Sequence, residues 1–222
     1  MKSTDALWLY GSVARGTHGP TSDLDILWVT DNRSAQTSKV TEHLADLPQL
    51  DFLAVRKYSW REVIVMAGYG SLFLHHIALE GQPLMPGEGK ARLEMILGDL
   101  PAYTKAAHDV RGFRIAVTDV RNSLLDGGDP AFELSTVATI IRHASILACF
   151  LLGNLVFDRR ASITYAFGAA GMEELIDDAL ALYEHRLLQA RGIPPTTPAS
   201  AELAWPWLAA TDVFIDRLEA IS

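Results

Sequence analysis

Two short apolar runs, residues 6–10 (ALWLY) and 24–30 (LDILWVT), flank a segment of Gly, Ser, Thr and Asp near the start of the chain. Apolar runs this short, bounded by turn formers, read as buried strands rather than helices. Gly11-Ser12 follows the first run directly, and Asp23-Leu24-Asp25 opens the second. Side chains two apart on a strand share a face, so Asp23 and Asp25 stand side by side. Two carboxylates that close repel each other and bind protons more tightly unless a cation lies between them. Gly11 permits a tight turn and a close backbone approach. Ser12 and the amides after it open a helix-like turn, where N–H groups favour a phosphate. Hard divalent cations, above all Mg²⁺, take such oxygen ligands and bridge to phosphates. Asp51, which opens a third apolar run over 51–57 (DFLAVRK), is the candidate third carboxylate of a two-metal clamp.

The rest of the chain divides by periodicity. Residues 34–47 place Val40, Leu44 and Leu47 at helical spacing behind Ser34, and Ser59-Trp60-Arg61-Glu62 has the form of a capping box. Residues 71–79 continue as helix to Gly81, and 82–85 return as a short strand. Beyond residue 90 strand signals stop. Residues 88–125 read as one helix or two, with a break at Pro101, and Asp129-Pro130 caps and opens the next. Residues 131–152, 173–191 and 200–221 are further helices, with a loop at 192–198. The expected fold class is α+β: a small mixed sheet domain over 1–88, then an all-α helical domain over 89–222.

Composition excludes several classes. Nineteen basic against 27 acidic residues give a formal charge of −8, weighted to the second half (−6 after residue 90, −2 before it). Non-specific nucleic-acid affinity comes from Lys and Arg neutralising phosphates, so a nucleic-acid partner is disfavoured. The single cysteine, Cys149, allows no internal disulfide, which suits a reducing cytoplasm. The apolar stretch 144–157 is shorter than a bilayer span, and no export signal is visible, so no membrane partner is expected.

A hydrophobic strand, Gly-Ser, about ten residues, Asp-x-Asp and a later acid on a strand, here LYGSVARGTHGPTSDLDILWVT and then LDFLAV, resemble the DNA polymerase β nucleotidyltransferase superfamily. The likeness is to its small bacterial members, minimal and aminoglycoside nucleotidyltransferases with a helical C-terminal domain. It implies a transferase that moves an NMP, AMP from ATP above all, to a hydroxyl and releases pyrophosphate. It implies that Gly11 and Ser12 hold the triphosphate, that Arg15 contacts the phosphates, and that Asp23, Asp25 and Asp51 bind two Mg²⁺. Members commonly carry a helix before the first strand. Here the strand starts almost at once, so that face must be covered otherwise, by the C-terminal helices or a second subunit of a homodimer.

Weaker signals concern the acceptor side. Arg111, Arg114 and Arg121 fall within about 80° on a helical wheel and form the best basic stripe. They serve phosphates or an acidic acceptor, or else pair with Asp109 and Asp119 on an exposed face. Glu133 is a candidate acceptor-side base, as a glutamate is in the aminoglycoside enzymes, and His18 lies near the site by sequence. The acceptor is expected to be an aminoglycoside-like small molecule or a protein. The alternatives are an antitoxin-type nucleotidyltransferase fused to a HEPN-like helical domain and acting on a toxin or tRNA, and an NTP sensor without turnover. The HEPN ribonuclease pattern, Arg then four to six residues then His, is absent.

Overall fold

The computed structural model describes residues 2–19, 22–32, 34, 36–48, 52–193 and 199–222. These form two compact units, Met1–Thr104 and Lys105–Ser222. The fold is α+β, with a mixed sheet first and helices after it.

The first unit is built on strands β1 (Ala6–Tyr10), β2 (Asp23–Val29), β3 (Phe52–Tyr58) and β4 (Gln82–Pro83), ordered β3-β2-β1-β4. β1 runs antiparallel to β2 and β4, while β2 and β3 are parallel. A one-turn helix α1 (Gly11–Ala14) follows β1, and α2 (Trp60–Gly68), α3 (Leu72–Glu80) and α4 (Glu88–Gly98) complete the unit. β1 is buried along its whole length, so it carries apolar residues on both faces. Ala6 and Trp8 join Leu27, Val29, Val63, Leu74, Ile77 and Leu93 in one core under α2–α4. Leu7 and Leu9 join Ile26, Trp28, Val40 and Met85 in a second core on the opposite face. The helices α2–α4 therefore cover one face of the sheet within the unit itself.

Several local expectations hold, and others change. The Ser59 capping box forms in full: its side chain accepts from Glu62 N–H and the Glu62 carboxylate accepts from Ser59 N–H. The helix expected over 34–47 appears as two short 3₁₀ turns, Thr37–Lys39 and Thr41–His43. Ser34 hydrogen-bonds Asn32 instead of capping a helix. Val40, Leu44 and Leu47 still pack on the sheet, so the apolar spacing marked burial rather than α-helix.

Residues 88–125 are two helices, α4 and α5 (Ala106–Leu125), and α4 belongs to the first unit. Gly89 lets its first turn rest on β1's entry, because a Cβ there would lie 2.0 Å from the Asp5 carbonyl oxygen. The segment after α4 stays on the first unit too: His75 Nε2 meets Pro101 O at 3.0 Å and Thr104 N–H donates to Tyr69 O. The division thus falls at residue 104, beyond the expected 88.

The second unit packs α5, α7 (Arg159–Ala169), α8 (Ile176–Ala190) and α9 (Ala201–Glu219) around α6 (Pro130–Leu151). Asp129 caps α6 through Ala131 N–H, with Pro130 at the first helical position. α6 is long and apolar enough to cross a membrane by length and composition, but it is the core helix of this bundle, burying Leu134, Val137, Ile141, Ala144 and Leu147. α7 has no counterpart in the sequence reading. Its signals are an Asp158 N-cap on Ala161 N–H and Ile163, Ala166 and Phe167 on one buried face. Of the loop expected at 192–198, residues 194–198 lie outside the described residues.

Gly89→Ala tests the placement of α4. Its methyl group meets backbone that cannot move aside, and overpacking of this kind costs about 1–3 kcal/mol. A lowered urea midpoint of the first unit is expected; an unchanged midpoint contradicts the packing of α4 on the Asp5 turn.

Candidate active site

β1 ends at Tyr10, and the antiparallel register places Tyr10 opposite Asp25. The chain then turns through Gly11 with φ +75°, a left-handed conformation that side chains disfavour. A Cβ on Gly11 would lie 2.6 Å from Asp25 Oδ2. Glycine is therefore required twice here, for the turn and for the carboxylate beside it. α1 is a single turn, closed by Arg15 N–H to Gly11 O at 3.1 Å. The N–H groups of Gly11, Ser12 and Val13, the first three helical positions after the Tyr10 N-cap, have no intrahelical acceptor. One turn supplies little macrodipole, so anion recognition at this corner rests on the amides and on nearby cations.

Asp23 and Asp25 lie on the same face of β2, both partly exposed, while Leu24 between them is buried on the other. Burial holds the Asp25 carboxyl up to about 6, and the Asp23 charge adds to the rise; Arg56 and Arg15 pull the other way. Arg56 comes from β3, where it is exposed and pairs in register with Leu27. Its guanidinium lies near enough to the Tyr10 hydroxyl to oppose the rise of that phenol. Burial and then the Asp25 charge raise Tyr10 well above the ordinary phenol range, so its hydroxyl stays protonated. The Tyr10 ring meets Phe73 and His76 edge-on, with centroids at 5.5 and 5.4 Å.

Two carboxylates on one strand face, with Asp25 raised by burial and then by the Asp23 charge, are a donor set that a hard cation relieves, so Asp23 and Asp25 fit a divalent metal. Among the described residues no group of three or more His, Cys, Asp or Glu forms a metal site. Asp51 lies outside the described residues. On β3 the positions in register with Asp23 and Asp25 are Phe52 and Ala54, neither of which is a ligand.

Residues 2–63 match the family model of the nucleotidyltransferase domain. The N-terminal segment of the first unit thus matches a nucleotidyltransferase domain. Among curated proteins none matches this chain. The nucleotidyltransferase match covers β1, α1, β2, β3 and the start of α2, which together carry Gly11, Ser12, Arg15, Asp23 and Asp25. The match supports a nucleotidyltransferase activity.

The other expected site residues fare differently. Arg15 Nη1 donates to Glu80 Oε2 at 2.5 Å, and its charge reaches Asp25. His18 is exposed in the loop between α1 and β2. Glu133 is buried in the helical unit, where its carboxylate accepts from Ser123 Oγ at 2.5 Å. A carboxylate enclosed in that way ties α5 to α6 and is not a solvent-facing base. Arg114 pairs with Asp216 and Glu219, and Arg121 with Asp212, all on α9. The stripe is thus ion-paired, with partners on α9 rather than Asp109 and Asp119; Arg111 is exposed.

Sequence reasoning missed Tyr10, Arg56, Glu80 and His76 as neighbours of the site. Only Arg56 carried a local signal, since β3 alternation puts it on the face of Ala54 and Phe52.

The Asp25 shift has a stability consequence with a definite sign. Its carboxyl titrates near 6 in the fold against an ordinary 3.8, so the native state holds the extra proton between those values. Stability therefore falls as pH rises from about 4 to about 6, and the full penalty persists above. Asp25→Asn removes it. A gain on the order of 2 kcal/mol at pH 8, shrinking toward zero below pH 4, is expected in thermal melts without metal.

Proposed function

We propose that the protein is a Mg²⁺-dependent nucleotidyltransferase that moves AMP from ATP to a hydroxyl of a small cationic molecule or a protein, releasing pyrophosphate. The observation that carries this reading is the juxtaposition of the Asp23–Asp25 face with the Gly11 turn, whose backbone approaches the Asp25 carboxylate too closely for any side chain.

Asp23 and Asp25 hold the metal. When bound, Mg²⁺ neutralises charge on the transferred phosphoryl and on the oxygens flanking it. Gly11 and Ser12 present backbone amides to the triphosphate, and Arg15 adds a cation beside them. Tyr10, kept protonated, contributes a hydroxyl rather than a phenolate base. Asp51 remains the third carboxylate by its place in the sequence, directly before Phe52. The acceptor preference rests on charge: a chain at −8 attracts cations and repels polyanions at long range, which favours an aminoglycoside-like acceptor over tRNA.

Incubation with α-labelled NTPs, Mg²⁺ and a panel of aminoglycoside, protein and tRNA acceptors tests the reading. Label is expected to pass from ATP to one acceptor class, and to fall by about 100-fold or more in Asp23→Ala and Asp25→Ala, as losing electrostatic support of the transition state predicts. ATP binding with no transfer to any acceptor identifies a sensor instead.

A further inference from the structure

We propose that Glu80 and His76, on α3, are positioning residues that present Arg15 to the phosphates of the nucleotide donor. The proposal rests on the nucleotide-binding reading of the Gly11–Arg15 corner.

Arg15 caps the C-terminal end of α1, one turn beyond Ser12. An arginine there has four rotatable side-chain bonds, and ordering it costs about 2 kcal/mol of rotamer entropy. The fold meets that cost before any ligand arrives. Glu80 Oε2 accepts from Arg15 Nη1 at 2.5 Å and lies 2.8 Å from His76 Nε2. All three side chains are mostly withdrawn from water, at 20%, 14% and 16% exposure. Burial opposes ionisation of Glu80, yet the hydrogen bonds and charges of His76 and Arg15 outweigh it and hold its carboxyl below the ordinary range. The carboxylate is therefore a fixed anion, able to orient a guanidinium.

The support continues outward from this trio. The His76 ring packs edge-on against Tyr10, which faces Asp25 across the β1–β2 ladder. Gln82, the first residue of β4, donates from Nε2 to Ala14 O at 2.7 Å, so the segment after α3 grips the end of α1 as well. A guanidinium has five N–H donors in a rigid fork. Glu80 engages one corner of it, and the fork's planarity then fixes the direction of the others. Glu80 and Arg15 are 65 residues apart, so the arrangement exists only in the folded domain. A simple latch between α1 and α3 would need neither a second donor on the same carboxylate oxygen nor an arginine whose charge reaches Asp25.

The test is equilibrium binding of a fluorescent ATP analogue, mant-ATP, to the full chain with and without Mg²⁺, beside steady-state transfer kinetics. Arg15→Ala is expected to weaken binding about 10- to 30-fold, the scale of lost charge-assisted hydrogen bonds. Glu80→Ala should weaken it about 5-fold or more, raising KM in step while kcat stays within about twofold. Glu80→Gln keeps the acceptor and should recover most of the affinity, and His76→Leu should lose about 2- to 5-fold. The double variant Arg15→Ala/Glu80→Ala should bind no more weakly than Arg15→Ala alone. Multiplicative losses in the double variant overturn the proposal, as does a Glu80→Ala protein that melts earlier but binds mant-ATP like the wild type. Should Glu80→Ala not fold, unchanged binding in His76→Leu together with a Glu80→Gln that binds and turns over with kcat rather than KM altered overturns it equally. Failure of the wild type to bind mant-ATP removes the donor reading and this proposal together; normal wild-type binding with indifferent Glu80 and His76 variants removes this proposal alone.

Discussion

Like-charge repulsion between Asp23 and Asp25 is the constraint around which the first unit is arranged. A β-strand offers no way to separate side chains two residues apart, so the two carboxylates face the same space. Burial is the larger cause of the raised Asp25 pKa, and the Asp23 charge adds to it. The fold answers it partially. Arg56 and Arg15 bring positive charge from two different elements, and the Gly11 turn leaves room for the carboxylate where any other residue would intrude. The relief is incomplete, since Asp25 still titrates near 6. On the function proposed above, a divalent cation supplies the remaining relief.

Rigidity around that corner comes from the sheet and from α3. β1 is buried on both faces, which anchors its exit at Tyr10, and the β1–β2 register fixes Tyr10 against Asp25. Behind them the edge-on contacts of Tyr10 with Phe73 and His76 connect the strand to α3. The end of α3 then returns to α1 through Glu80 and Gln82. The path from strand to helix to turn is short and closed, made of two ring contacts, the Glu80–Arg15 ion pair and one hydrogen bond to backbone.

What could be read in the sequence was local. The Asp-x-Asp alternation, the Gly-Ser turn, the Ser59 capping box and the Asp129-Pro130 start each depend on residues within four positions of one another, and each formed. Apolar spacing over 34–47 identified buried residues but not the helix type, because Val40, Leu44 and Leu47 can reach the sheet from 3₁₀ turns as well. Long-range pairing was not legible. Nothing near Arg114 points to α9, about 100 residues later, and nothing near Arg15 points to Glu80. Glu133 looked available because its sequence neighbours are ordinary; only the approach of α5 encloses it. The same limit applied to α4, whose membership of the first unit depends on the contact of Gly89 with the Asp5 turn.

The strap formed by the residues after α4 gives the chain a natural seam. Gly70, with φ +66°, lets the backbone at Pro101 and Ala102 come so close that a Cβ would lie 2.3 Å from the Pro101 oxygen. Residues through 104 are thereby spent on sealing the α2–α3 junction, so the first unit ends in a segment bound to its own backbone rather than in a loose linker.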